Sequence, residues 1–174
     1  MNIFAVDEDP ALAAFSLPDK HIVKMPLETT QMIALVFSKW YWNIGPVLKK
    51  DGTPYKTEKG AFRNHPCTKW AAKNDHNFQW LLQHGISLCN EYESRYGKKH
   101  ACETSIRLAG LIQMESGCPE KHSPFVRAMP LEFQTLRCST VEAYRLYVAS
   151  KPWVHDNYKR VPEKKPSWLS TTLV

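Results

Sequence analysis

Between Asp19 and Trp40 the chain reads DKHIVKMPLETTQMIALVFSKW, with its polar residues at helical intervals. His21, Lys24, Glu28 and Gln31 stand three, four and three positions apart, which places them on one face of a helix. His21 and Glu28 then lie two turns apart, roughly 10 Å along the axis. Most of the remaining side chains are apolar (Ile22, Val23, Met25, Leu27, Met32, Ile33, Leu35), so the rest of the helix belongs to a core. Asp19 can accept from the first free amides and reads as the N-cap. Pro26 falls inside the pattern and is expected to kink the helix or end its first turn. Two readings of the stripe are open. It is a solvated face with Lys24 and Glu28 paired at i,i+4, or it lines a cleft, since isolated buried charge is costly. Its narrowness, and a His able to titrate near neutral pH, favour the cleft.

The same helical signal recurs along the chain. Asp9-Pro10 starts a short helix over 11–17, with Asp as cap and Pro at the first helical position. His65-Pro66 starts another, and Asn74-Asp75 restarts it. Phe78, Leu81, Leu82, Ile86, Cys89 and Tyr92 carry it to Tyr96, with Gly97 as C-cap. Further helices are expected over 101–112 and, capped by Ser139-Thr140, over 141–150. Residues 43–64 read as a long basic loop, because Gly45-Pro46 and Gly52-Thr53-Pro54 break any pattern. Residues 113–130 also read as loop, and Met1 to Val6 as a strand or extended arm. After Val6 no run alternates with period two. A chain of 174 residues suits one domain with a sizeable core. The expectation is an all-α fold, a compact single-domain helical bundle with long connecting loops over 1–174. Its tail from about 151, broken by Pro152, Pro162 and Pro166, should be irregular and lie on the surface.

No run is long enough to span a bilayer, and the start lacks the basic flank of an export signal, so a cytoplasmic monomer without membrane contact is expected. Five dispersed Cys fit reduced thiols better than a disulfide framework. His65/Cys67 and Cys118/His122 could each supply two metal ligands, but neither pair has a partner at finger spacing, and no metal or cofactor is expected. A net charge of +6 favours a polyanionic partner, nucleic acid first. The basic clusters are Lys49-Lys50, Lys56/Lys59/Arg63, Lys98-Lys99 and Lys159-Arg160 with Lys164-Lys165. Six Trp, seven Tyr and seven Phe add rings on which bases can stack, although most must be core.

Asp19-Lys20-His21, followed seven positions after the His by Glu28, resembles the start of the bacteriophage pyrimidine-dimer DNA glycosylases of the endonuclease V type, where Asp-Gln-His precedes the catalytic Glu at the same spacing. The segment from Pro66 to Tyr96 resembles that family's central helix. Met129-Pro130-Leu131-Glu132-Phe133 is similar to its Ile-Pro-x-Glu-Phe turn, and Lys151-Pro152-Trp153 to its Arg-Pro-Thr-Trp segment. The chain is also similar to short phage proteins carrying Asp-Lys-His-x-Val-Lys-Met.

The resemblance implies base excision on double-stranded DNA coupled to strand cleavage. A free α-amine attacks C1′, an imine forms, and β-elimination cuts the strand. It assigns the carboxylate role to Glu28, an orienting role to His21 and an aromatic contact with substrate to Trp153. An α-amine suits this chemistry because it loses its proton more readily than a lysine. The family exposes a Thr amine after Met removal. Here Asn2 is larger than the residues that permit removal, so the amine is expected on Met1, with Asn2 beside it. Lys24 has no family counterpart and is a rival amine. Leu27 and Gln31 replace family Arg residues that hold phosphates, and Lys20 replaces the Gln. DNA contacts are therefore expected from Lys20, Gln31, Lys49, Lys50, Arg63, Lys151, Trp153, Lys159 and Arg160. The alternatives are a non-catalytic phage nucleic-acid-binding protein on the same scaffold, and a nucleotide- or base-modifying enzyme.

Overall fold

The computed structural model describes residues 1–113 and 121–170, and among these it is all-α. The helices are α1 (Pro10–Phe15), α2 (Asp19–Phe37), α3 (Gly60–Arg63), α4 (Pro66–Ala72), α5 (Asp75–Tyr96), α6 (Glu103–Gln113), α7 (Leu131–Gln134) and α8 (Thr140–Ala149), followed by two 3-10 turns, Pro162–Lys164 and Ser167–Ser170. The long helices α2 and α5 form the centre. Against them pack α1, α4 and α6. Phe37, Phe78, Leu81, Leu82, Ile22, Met32 and Ile33 are buried between them.

Local signals set several helix ends. The Asp9 carboxylate accepts from the amides of Ala11 and Leu12, and Asn74 accepts from Asn77. Gly97 takes the left-handed conformation (φ 67°) that closes a helix at little steric cost. Ser139 and Glu142 complete a capping box.

Several expectations are corrected. Asp19 does not cap α2, because Pro18 occupies the cap position and makes no side-chain bond. The first amides of α2 are instead met from the tail: Asn157 accepts from Asp19 N–H through its carbonyl and from Lys20 N–H through its side chain, both at 2.8 Å. Pro26 does not end the first turn, since α2 continues through it to Phe37, stopping short of Trp40. Residues 43–64 are not a plain loop. Leu48 and Pro54 form an antiparallel bridge, α3 follows, and Ser105 of α6 ties down the Leu48 carbonyl at 2.6 Å. The tail is irregular but not superficial, for Val154, Tyr158 and Leu169 are buried. The first six residues form no strand. They run as a buried arm from Asn2 to Val6, crossing beneath α2 and α8 side chains.

Arg95 explains why the tail is held. Its side chain is fully buried, and it donates to Asp19, to Glu91 and to the carbonyls of Phe15 and Leu17. Asp19 uses its other oxygen to accept from the Arg160 amide, and Lys164 pairs with Glu91 at 3.0 Å. Two carboxylates, one guanidinium and the tail thus form one network.

Candidate active site

The buried N-terminal arm brings the chain's first amine to α2. Met1 N lies 3.5 Å from Glu28 Oε2, while Lys24 Nζ lies 3.1 Å from Glu28 Oε1. One carboxylate therefore faces two nitrogens, one on each oxygen. Their settings differ. The Lys24 side chain is 70% exposed, whereas that of Glu28 is 10% exposed and that of Met1 1%. Met1 as a whole residue is only half-buried, so what solvent reaches is its main chain, which carries the amine. The stripe is thus no simple solvated face, because its carboxylate is buried.

Several contacts fix the amine. Thr68 of α4 donates to the Met1 sulfur at 3.3 Å. Asn2 is buried and engaged with main chain: its carbonyl oxygen accepts from the amides of Ile3 and Phe4, and its amide donates to the Ala128 carbonyl. This turn holds Phe4 at φ 39°, a left-handed value unusual for a residue with a side chain. Phe4 then stacks on the His21 ring, centroids 4.2 Å apart. Asn2 accordingly shapes the approach of the amine.

His21 sits one side of this pair, buried against Phe4 and the edge of Trp153 (5.5 Å). Burial, and then the charges of Lys151 and Lys24, push its pKa down to about 3, so the ring is neutral in the physiological range. Among the described residues its Nδ1 finds no hydrogen-bond partner. Lys20 lies over Trp153 at 4.6 Å, and Lys151 over Tyr147 at 4.1 Å and Phe4 at 5.7 Å. Two cations on aromatic faces flank a neutral imidazole, an arrangement suited to a base and its phosphates.

The other expected contacts are dispersed. Gln31 and Lys49 border one hollow on the far side of Leu27. Arg63 stacks on Trp40 at 3.8 Å, and Arg160 lies 5.1 Å from the Tyr96 ring. Lys50 and Lys159 are exposed. The metal pairing of Cys118 with His122 cannot be followed, since Cys118 lies outside the described residues. Among the described residues no His, Cys, Asp and Glu gather as a metal site. No described helix is long and apolar enough to cross a membrane.

Sequence reasoning missed His65 and Phe4 as neighbours of the site. The His65 Nδ1 accepts from the Cys67 amide at 3.2 Å, which leaves the proton of the neutral ring on Nε2. Burial lowers the His65 pKa, the charge of the N-terminal amine lowers it further, and Glu28 opposes them. The His65-Pro66 cap was visible in the sequence; its proximity to the amine was not.

The sequence model of a family described as pyrimidine dimer DNA glycosylase matches residues 1–104, which include Met1, His21, Lys24, Glu28 and His65. Neither the curated proteins nor the solved structures contain a match to the chain.

Proposed function

Since this chain belongs to the pyrimidine dimer DNA glycosylase family, we propose that it excises a damaged or modified pyrimidine from duplex DNA with the Met1 α-amine as nucleophile and then cleaves the strand as a lyase. The observation that carries this reading is the Met1 amine 3.5 Å from the buried Glu28 carboxylate.

In the proposed reaction the amine nitrogen bonds to C1′ as the C1′–base bond breaks, and the base leaves with a proton. The sugar ring opens, O4′ takes a proton, and an imine joins Met1 to C1′. Removal of a C2′ proton then expels the 3′-oxygen with its phosphate, and water releases the enzyme. Glu28 is placed to stabilise the positive charge that develops on the sugar, which in a partly enclosed site is worth more than in water. It is also the nearby base for the proton leaving the attacking amine. Lys24 shares Glu28 but is far more exposed, which supports a positioning role: it holds one carboxylate oxygen so that the other faces the amine. The neutral His21, with Trp153, Lys20 and Lys151, supplies a surface for the unstacked nucleotide.

Borohydride trapping and single-turnover excision on duplexes carrying pyrimidine dimers, other modified pyrimidines or abasic sites test the proposal. A covalent adduct that peptide mapping places on Met1 is expected. Glu28→Gln should slow excision about a hundredfold to a thousandfold while DNA affinity persists. Lys24→Met should leave trapping in place. An adduct on Lys24, or a Glu28→Gln protein as active as wild type, would overturn the respective assignment. No adduct and no excision on any duplex, with salt-sensitive binding retained, would favour the binding-protein reading.

A further inference from the structure

One turn beyond Glu28 a hollow of about 230 Å3 opens between α2 and the segment leading into α3. Leu27 and Leu35 of α2 and Phe62 of α3 give it apolar walls, and Gln31 contributes an amide. The opposite rim is Lys49, Lys56 and Lys59. Among the described residues its lining contains no carboxylate. Among the described residues, Glu58 pairs with Lys39 at 3.3 Å, and Asp51, whose charge Lys49 feels, is engaged by the Thr53 hydroxyl and amide. Lys49 and Lys59 lean on the Tyr55 and Phe62 rings, 5.9 and 5.6 Å from the centroids. Those rings hold the two ammonium groups at the rim.

Three like charges around one small hollow repel, and an anion between them removes that cost. Gln31 is three residues from Glu28 on the same helix, about 4.5 Å along the axis. A strand whose sugar reacts at Glu28 therefore carries a neighbouring phosphate within reach of the rim, and its sugar carbons can rest on the leucines. Leu27, directly beside Glu28, brings no charge, so the grip on that phosphate must come from across the hollow.

We propose that this hollow is a phosphodiester subsite for the strand being cut, with Lys49, Lys56 and Lys59 as its cations. The assignment rests on the reading of Glu28 as the centre of a DNA glycosylase. All three lysines are exposed, so their replacement should leave the fold intact, as a thermal melt would verify.

Binding of wild-type protein and of a Lys49→Gln/Lys56→Gln/Lys59→Gln variant is measured on duplexes with a tetrahydrofuran abasic analogue, which forms no imine. The variant should lose at least tenfold in affinity at low salt, and the slope of log K against log salt should fall by about two to three. Single methylphosphonate linkages are then scanned across the strand. At the docking linkage wild type should lose roughly tenfold, and the lysine variant nothing further, because the charge it would miss has no partner left. An unchanged salt slope, or equal losses for both proteins at every linkage, overturns the subsite and leaves the glycosylase reading standing. Lysine-dependent binding of inorganic phosphate with unchanged DNA affinity assigns the hollow to a free anion and also overturns it. Absence of any DNA binding by wild type overturns both readings together.

Discussion

At the scale of single residues, the molecule depends on how a few buried charges are matched. Glu28 is shared between the N-terminal amine and an exposed lysine, so its surroundings are polar although its own side chain is buried. Arg95 is the structural counterpart. It is the only buried cation within the Asp19–Glu91 network described above, and its five donors reach two carboxylates and two carbonyls. Arg95→Met keeps much of the volume but leaves Asp19 with its Arg160 amide alone and Glu91 with Lys164. The expected loss is about 3–5 kcal/mol of unfolding free energy, read from urea midpoints. A loss under about 1 kcal/mol would show that the network contributes little net stability.

At the scale of elements, α2 is positioned by close approach as much as by hydrophobic burial. Gly85 of α5 faces it: a Cβ there would lie 2.8 Å from the Thr29 Cγ2 and 3.2 Å from the Ile106 Cγ2. The neighbouring methyls belong to β-branched residues in the core, with few rotamers to retreat into. Thr29 follows Glu28 directly, so the spacing between α2 and α5 also sets the carboxylate. Gly85→Ala is expected to destabilise by about 1–3 kcal/mol despite the better helix propensity of Ala. Single-turnover excision should fall with it, because a displaced α2 carries Glu28 away from the amine. Unchanged stability and rate would mean that the interface yields without moving α2.

For the whole molecule, pH is the sharpest probe of packing. Burial lowers the pKa of His21 to about 3 and of the fully buried His84 to about 4, both from an ordinary 6.5. Between these values and 6.5 the unfolded chain binds protons that the folded chain refuses. Stability is therefore fully present above about pH 6.5 and is lost as the pH falls toward 4, by at most about 1.4 kcal/mol per pH unit for each such His. Denaturation midpoints taken from pH 7 to pH 4 should show this decline. His21→Phe keeps a ring on Phe4 and should make the decline shallower. A profile as steep as wild type would mean that His21 is not held neutral by the fold.

What the sequence determined on its own was local. Helical spacing within three or four residues marked α2 and α5, and Asp9, Asn74, Gly97 and the Ser139–Glu142 pair act within their own turns. The stripe of His21, Lys24, Glu28 and Gln31 was legible for the same reason, as was an excess of basic charge. What only tertiary structure decided lies between residues far apart in the chain. Asp19 looked like a cap because its neighbours allow it, yet Arg95 and Arg160 claim its carboxylate, and Asn157 meets the amides it would have capped. The amine reaches Glu28 because a buried arm, Asn2 and Thr68 steer it there. The lysines beyond Leu27 gather because the bridge at Leu48 and the bond from Ser105 fold their segment back. Propensity and capping act through the few dihedrals they restrict, whereas a buried charge settles wherever the packed chain supplies its partner.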